Sequence, residues 1–324
     1  MAADTPLVIV TRRLTDSVET RMRESVNVRL NTADGPFSKD DLIAAIKEAG
    51  ILVPTVTDRV DADVIAAAGP GLRLIANFGV GVNHIDLAAC RAKGIAVTNT
   101  PGVLTDDTAD ITIALILDCM RRVNEGERQL RAGAWPGWAP TNLLGRRLKG
   151  KRLGIIGMGR IGQAVAGRAA AFGMDVHYHN RRPIKSGEAP DLDATYWPDL
   201  DAMLAEMDIV SVNCPLTPET HHLLNVARLD RLKRGAYVVN TARGEIIDED
   251  ALAERLADGR LAGAGLDVYT GEPEVNPKLK ALENVVLAPH LGSATEETRT
   301  AMGEKVMANI EAFLAGRELP DKVV

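Results

Sequence analysis

Three short segments in the second half of this 324-residue chain carry side chains that could do chemistry together. Val239-Asn-Thr-Ala-Arg243-Gly supplies a fixed cation, Leu266-Asp-Val-Tyr-Thr-Gly-Glu272-Pro a carboxylate, and Ala288-Pro-His290-Leu-Gly-Ser-Ala an imidazole. Hydride transfer to a 2-keto acid needs that set. A guanidinium anchors the carboxylate and polarises the carbonyl, an acid protonates the new alkoxide, and a carboxylate keeps that acid charged near neutral pH. Each segment sits just past the end of an apolar run with strand character, where open parallel sheets place their ligands.

A second constellation lies upstream. Leu153-Gly-Ile-Ile-Gly157-Met-Gly159-Arg-Ile-Gly162 is a strand running directly into GxGxxG, and Gln163–Phe172 continues it as a helix. Gly157 permits the tight turn, Gly159 lets the backbone approach a pyrophosphate, and Gly162 lets helix and strand pack closely. The helix N-terminus adds N–H donors and a favourable dipole. The motif in this context reads as a dinucleotide site. An NAD site usually places Asp or Glu at the end of the following strand to grip the ribose 2′-hydroxyl. Here that position reads His179-Asn180-Arg181-Arg182. Asn180 removes the carboxylate that would repel a 2′-phosphate, and two guanidiniums that can bind one follow. NADP(H) is favoured, with NAD(H) use still open.

The elements that must position these groups alternate strand and helix patterns along nearly the whole chain. Strands are expected at Leu7–Val10, Val26–Leu30, Ile51–Val53, Leu74–Ala76 and Ile95–Thr98, with helices such as Lys39–Ala49, capped by Ser38, between them. That alternation implies an open parallel sheet. A long helical pattern runs from Thr105 to Leu130, and a Gly/Trp/Pro-rich loop follows from Ala132 to Gly150. Six further strands, near Leu153–Ile156, Asp175–Tyr178, Ile209–Asn213, Tyr237–Asn240, Gly263–Asp267 and Val285–Leu287, predict a second parallel sheet. The last pattern, Thr295 to Leu314, is a helix with one buried face.

Composition narrows the class. Aromatics make up only 3% of the residues, so the cores must be built from Ala, Val, Leu and Ile, which suits parallel strands covered by helices. The net charge of −6, with no basic tail, gives no sign of a nucleic-acid surface. No stretch approaches the ~20 apolar residues of a membrane span, and MAADTPLVIVTRR lacks the pattern of a signal peptide. Cys90, Cys119 and Cys214 sit far apart without a CxxC, which fits buried reduced thiols in a cytoplasmic protein. His221-His222 resembles a metal pair, but no acidic or Cys partner lies at ligand spacing, so no metal site is expected.

The motifs NFGVGVNHID, TADITIALIL, GIIGMGRIG, NCPLTPET, VNTARGEIID, GLDVYTGEP and PHLGSAT occur in this order across essentially the whole chain. Together they resemble those of the D-isomer-specific 2-hydroxyacid dehydrogenases, and within them the glyoxylate/hydroxypyruvate reductases. The resemblance implies that Arg243 binds the substrate carboxylate and carbonyl, that His290 is the general acid/base, and that Glu272 pairs with His290 to raise its proton affinity. It implies carboxylate binding by backbone N–H groups at Val80 and Gly81. It also carries cofactor contacts onto Thr108, Arg160, Ile161, Pro215, Thr220, Thr241, Ala242 and Asp267, the last toward the nicotinamide amide.

The family architecture is two doubly wound α/β domains with a cleft between them. A flavodoxin-like substrate domain would span 1–99 plus 294–324, and a Rossmann nucleotide domain 100–293. The long helix and the Trp135–Trp138 loop resemble the family's dimerisation arm, which implies a homodimer. Trp138 is a candidate substrate-pocket residue, with ordinary interface packing as the alternative. The expected reaction is NADPH-dependent reduction of glyoxylate or hydroxypyruvate to the D-2-hydroxy acid. Reduction of 2-keto-gluconate or bulkier 2-keto acids is the rival within the class. A nucleotide-sensing corepressor is the rival outside it, and the intact Arg243/Glu272/His290 set argues against that.

Overall fold

Runs such as Val8-Ile-Val10 and Ile51-Leu-Val53 are apolar at every position, because a parallel strand covered by helices buries both of its faces. The computed structural model, which describes residues 5–185 and 192–324, shows this directly. The first four residues of the segment read for targeting lie outside the described residues. Two compact units emerge, one comprising Met1–Leu104 with Ala294–Val324 and the other Thr105–Ser293.

In the first unit, β1 (Val8–Val10), β2 (Val28–Arg29), β3 (Ile51–Val53), β4 (Leu74–Ala76) and β5 (Ala96–Thr98) are parallel in the order β2-β1-β3-β4-β5, the flavodoxin-like order. Successive residues of β3 enter opposite cores: Leu52 packs beneath one face, Ile51 and Val53 beneath the other. The helix Glu296–Leu314 covers the second face with Met302, Val306, Met307 and Ile310. The chain then returns to the edge of the sheet, where Val323 N–H donates to the Val97 carbonyl at 2.7 Å.

The second unit holds β6 (Arg152–Ile156), β7 (Asp175–His179), β8 (Thr195–Tyr196), β9 (Ile209–Val212), β10 (Ala236–Asn240), β11 (Leu261–Leu266) and β12 (Val285–Leu287). All pairings are parallel, in the order β12-β11-β10-β9-β6-β7-β8. This is the Rossmann order with one more strand at the edge, and its direction reverses between β6 and β9. The sheet has seven strands rather than the expected six. The addition is Thr195–Tyr196, two residues long and exposed at Thr195, which is too short to leave a hydrophobic run in the sequence.

The expected single helix from Thr105 to Leu130 is also corrected. It is two helices, Thr105–Arg121 and Val123–Arg131. Between them Arg122 adopts a left-handed φ of 57°, its guanidinium on Glu125, while the Asp118 carboxylate accepts from the Asn124 N–H at 2.6 Å. Local polar caps override a periodicity that runs straight through the break. Among the described residues no helix is long and apolar enough to cross a membrane.

Candidate active site

The C-terminal ends of β10, β11 and β12 lie side by side, which brings together groups far apart in sequence. Past β12 the His290 backbone takes φ 55°, a left-handed conformation that costs a non-glycine residue ~1–2 kcal/mol. Its N–H donates to the Asp267 carbonyl at 3.0 Å. The Asp267 side chain, at the end of β11, accepts the next two N–H groups, Leu291 at 2.6 Å and Gly292 at 2.8 Å. One buried aspartate thus holds three consecutive residues in a strained turn. Burial raises its carboxyl above the ordinary range, despite the two amide donors and His290 acting the other way.

His290 and Glu272 meet at 2.7 Å between Nδ1 and Oε2. The other carboxylate oxygen accepts from the Tyr269 N–H at 2.9 Å. Burial opposes ionisation of Glu272, but the His290 contact, the Tyr269 N–H and the nearby Arg243 outweigh it and leave the carboxyl below its usual value. A carboxylate can only accept, so Nδ1 carries a hydrogen and Nε2 is the nitrogen left for proton transfer. Both side chains keep 29% of their surface exposed, enough for a substrate to reach the imidazole.

Arg243 follows β10 and is half-buried. Its Nη1 donates to the Ala242 carbonyl at 2.6 Å, and burial lowers the guanidinium pKa while Glu272 and Glu245 oppose that shift. The next residue must be glycine, because a Cβ on Gly244 would overlap the Tyr269–Thr270 backbone. The arginine segment and the Glu272 segment are therefore in backbone contact. Tyr269, which the sequence reading passed over, secures this arrangement: its hydroxyl lies within hydrogen-bond reach of the carbonyls of Leu266 at 3.0 Å and Ala288 at 2.8 Å. It stands inside the quoted GLDVYTGEP motif, but nothing local says that its hydroxyl reaches β12.

At the reversal between β6 and β9, Gly157 takes φ 99°, and a Cβ there would lie 2.6 Å from the Cys214 nitrogen, so no side chain fits. A Cβ on Gly162 would meet the Gly157 carbonyl, whereas Gly159 faces open space. The helix Arg160–Ala171 begins at Gly159 with no side chain capping its first turn, which leaves Arg160 and Ile161 at the head of an uncapped row of N–H groups. These features fit a dinucleotide pyrophosphate. Asn180 accepts the Met158 N–H at 2.8 Å through Oδ1, which leaves its amide nitrogen as the remaining end. Arg181 and Arg182 are exposed and form no ion pair among the described residues. Thr220 shapes the loop after β9, donating to the Pro215 carbonyl at 2.7 Å. Ala242 N–H donates to Asn240 Oδ1 at 3.0 Å, Thr108 Oγ1 to the Gly292 carbonyl at 2.8 Å, and Thr241 Oγ1 lies 2.8 Å from Thr112 Oγ1.

The remaining expected groups each have their own surroundings. In the first unit the Gly79, Val80 and Gly81 carbonyls are held by Thr100 N–H, Asn99 and Asn77, while the N–H groups of Val80 and Gly81 meet no protein acceptor among the described residues. Trp138, 83% exposed in the loop beyond Val123–Arg131, is packed into no site of its own chain. The His221 and His222 rings stack at 4.1 Å, and among the described residues no group of three His, Cys, Asp or Glu could hold a metal. Cys214 is partly covered, and burial pushes its thiol up to about 11, so it is no nucleophile at neutral pH.

Comparison with known proteins bears on this geometry. Residues 113–292 match the family of D-isomer specific 2-hydroxyacid dehydrogenases, NAD binding domain. The chain is 44% identical over 322 residues to the glyoxylate reductase of Korarchaeum cryptofilum, covering 98% of this chain and 96% of that one. Among solved structures, the TT0316 protein of Thermus thermophilus superposes with a TM-score of 0.90 at 49% identity, over 98% of this chain and 100% of that one. An NADPH-dependent glyoxylate/hydroxypyruvate reductase of Sinorhizobium meliloti, solved with NADP and malonate, superposes with a TM-score of 0.88 at 34% identity, over 99% and 97%.

Proposed function

This chain belongs to the D-isomer-specific 2-hydroxyacid dehydrogenase family, as an NAD(P)-dependent dehydrogenase of small 2-keto and 2-hydroxy acids, and within that family we propose an NADPH-preferring reductase of glyoxylate and hydroxypyruvate. The observation that carries the reading is the Glu272–His290 contact at 2.7 Å, with Arg243 close enough to lower the Glu272 carboxyl. Arg243 holds the substrate carboxylate and draws charge toward the carbonyl oxygen, since a planar guanidinium can contact both. When bound, the reduced nicotinamide supplies the hydride. His290 supplies the proton from Nε2 to the new alkoxide, giving glycolate from glyoxylate and the D-2-hydroxy acid from hydroxypyruvate. Glu272 remains ionised and balances the charge on the imidazolium that must be present before each turnover.

The N–H groups of Val80 and Gly81, which meet no protein acceptor among the described residues, suit a carboxylate oxygen. Asn180, Arg181 and Arg182 support NADPH: an amide stands at position 180 in place of a carboxylate, and two exposed guanidiniums follow it. Residues 100–293 would then be the nucleotide domain and the remainder the substrate domain. A cytoplasmic homodimer joined through Val123–Arg131 and the Trp135–Trp138 loop belongs to the same reading, with Trp135 and Trp138 exposed on the single chain. Initial rates over a panel of 2-keto acids, run in parallel with NADPH and NADH, test it. Glyoxylate and hydroxypyruvate should give the highest kcat/KM, with NADPH ahead. Preferential turnover of 2-keto-gluconate, or equal use of the two cofactors, would overturn the corresponding part.

A further inference from the structure

A chain of hydroxyl groups runs behind the end of β10, and its hydrogens can be assigned. Thr112 is fully buried in the helix Thr105–Arg121, and its Oγ1 donates to the Thr108 carbonyl one turn back, at 2.8 Å. A threonine hydroxyl has one hydrogen. The 2.8 Å contact between Thr112 Oγ1 and Thr241 Oγ1 must therefore be donated by Thr241. Thr108 spends its own hydrogen on the Gly292 carbonyl. Asp267 has none to give, and each of its oxygens already accepts one loop N–H. The three buried side chains thus present lone pairs and no free hydrogen. They also share one neighbourhood: a Cβ on Gly292 would lie 3.2 Å from Asp267 Oδ2 and 3.4 Å from Thr108 Oγ1, and the Asp267 N–H donates to the carbonyl of Asn240, the residue before Thr241.

We propose that Thr112, fully buried behind the Thr241 hydroxyl, is a positioning residue for cofactor recognition. It orients the Thr241 hydroxyl so that Thr241, with Thr108 and Asp267, forms an acceptor-only patch that receives the N–H groups of the nicotinamide carboxamide. The inference rests on the nicotinamide reading of this site and adds the polarity with which the ring amide is read. Its consequence is selectivity within the dinucleotide: a ring bearing an acetyl group in place of the carboxamide offers an acceptor to a patch that has nothing to donate. Without Thr112's oxygen, the Thr241 hydroxyl is released to rotate and donate.

The test compares dissociation constants for NADP+ and its 3-acetylpyridine analogue, measured by calorimetry on the full chain as wild type, Thr112→Val and Thr112→Ser. Wild type should favour the carboxamide, and Thr112→Val should shrink that preference by about tenfold, the worth of one net hydrogen bond. Thr112→Ser, which restores the acceptor, should return the wild-type ratio. A role confined to packing would weaken both ligands alike and leave the ratio unchanged; that result in folded Thr112→Val overturns the proposal while the nicotinamide reading stands. Should Thr112→Val fail to fold, Thr241→Val replaces it, and an unchanged ratio there overturns the proposal equally. If wild type binds neither dinucleotide, the nicotinamide reading itself falls.

Discussion

The two ends of the seven-stranded sheet present their functional groups in opposite ways. At the β10–β12 end, His290 is held in a left-handed backbone by Asp267, paired with Glu272, and braced from behind by Tyr269. At the β7 end, Arg181 and Arg182 stand exposed with no ion pair among the described residues, and only the Asn180 side chain is tied to the glycine turn. Under the proposed function, the difference follows from what each end would do. Proton transfer demands heavy atoms within hydrogen-bond reach at fixed angles, so the cost of strain is met in advance by buried hydrogen bonds. A 2′-phosphate is a diffuse dianion that exposed cations can close around, so its ligands need no fixed position before it arrives.

Breaking the rigid end should produce the largest effects. His290→Ala is expected to lower kcat by ~10²–10⁴-fold while NADPH affinity, measured by fluorescence titration, stays near wild type. If the variant kept wild-type kcat, His290 would not be the proton donor. Arg243→Ala should raise KM and lower kcat together, and Arg243→Lys should recover little, because an ammonium cannot reproduce the planar fork. Comparing glyoxylate with an uncharged aldehyde isolates carboxylate recognition. Equal losses on both substrates would leave Arg243 as a brace for its loop.

At the exposed end the losses should be smaller and confined to one cofactor. Arg181→Ala or Arg182→Ala should cost NADPH ~1.5–3 kcal/mol in kcat/KM, the value of a charge-assisted hydrogen bond, and leave NADH nearly untouched. Similar losses with both cofactors would remove the contrast between the ends.

The smallest effect concerns pH. The Glu272 carboxyl is lowered in the folded chain relative to an unfolded value of about 4.3. A lowered acid contributes stability that is present above the unfolded value and is lost as pH falls through the folded one. Glu272→Gln should therefore destabilise by ~1 kcal/mol near neutral pH and by progressively less below about pH 4, as followed by thermal melts. The same variant should also lower kcat, because a neutral amide cannot balance the charge on the imidazolium. An unchanged kcat would sever Glu272 from proton transfer.

Much of this was already legible in the linear chain. GxGxxG after a strand, a missing acid at Asn180 and three motifs past strand ends need only local spacing, since each reflects a backbone constraint or a charge at a fixed offset. The β-α alternation was equally plain, because burial of both strand faces writes itself as unbroken apolar runs. The break at Arg122 and the short strand Thr195–Tyr196 left no such trace: one depends on Asp118 reaching Asn124, the other on an edge pairing with β7. The same holds within the site. Arg243, Glu272 and His290 were nameable from their types, but the tautomer of His290 follows from a carboxylate 18 positions away, and the strained turn from an aspartate on a neighbouring strand. Sequence encodes what a residue and its near neighbours can do. Which hydrogen each group donates depends on partners brought across strands and helices, and only the folded chain supplies those.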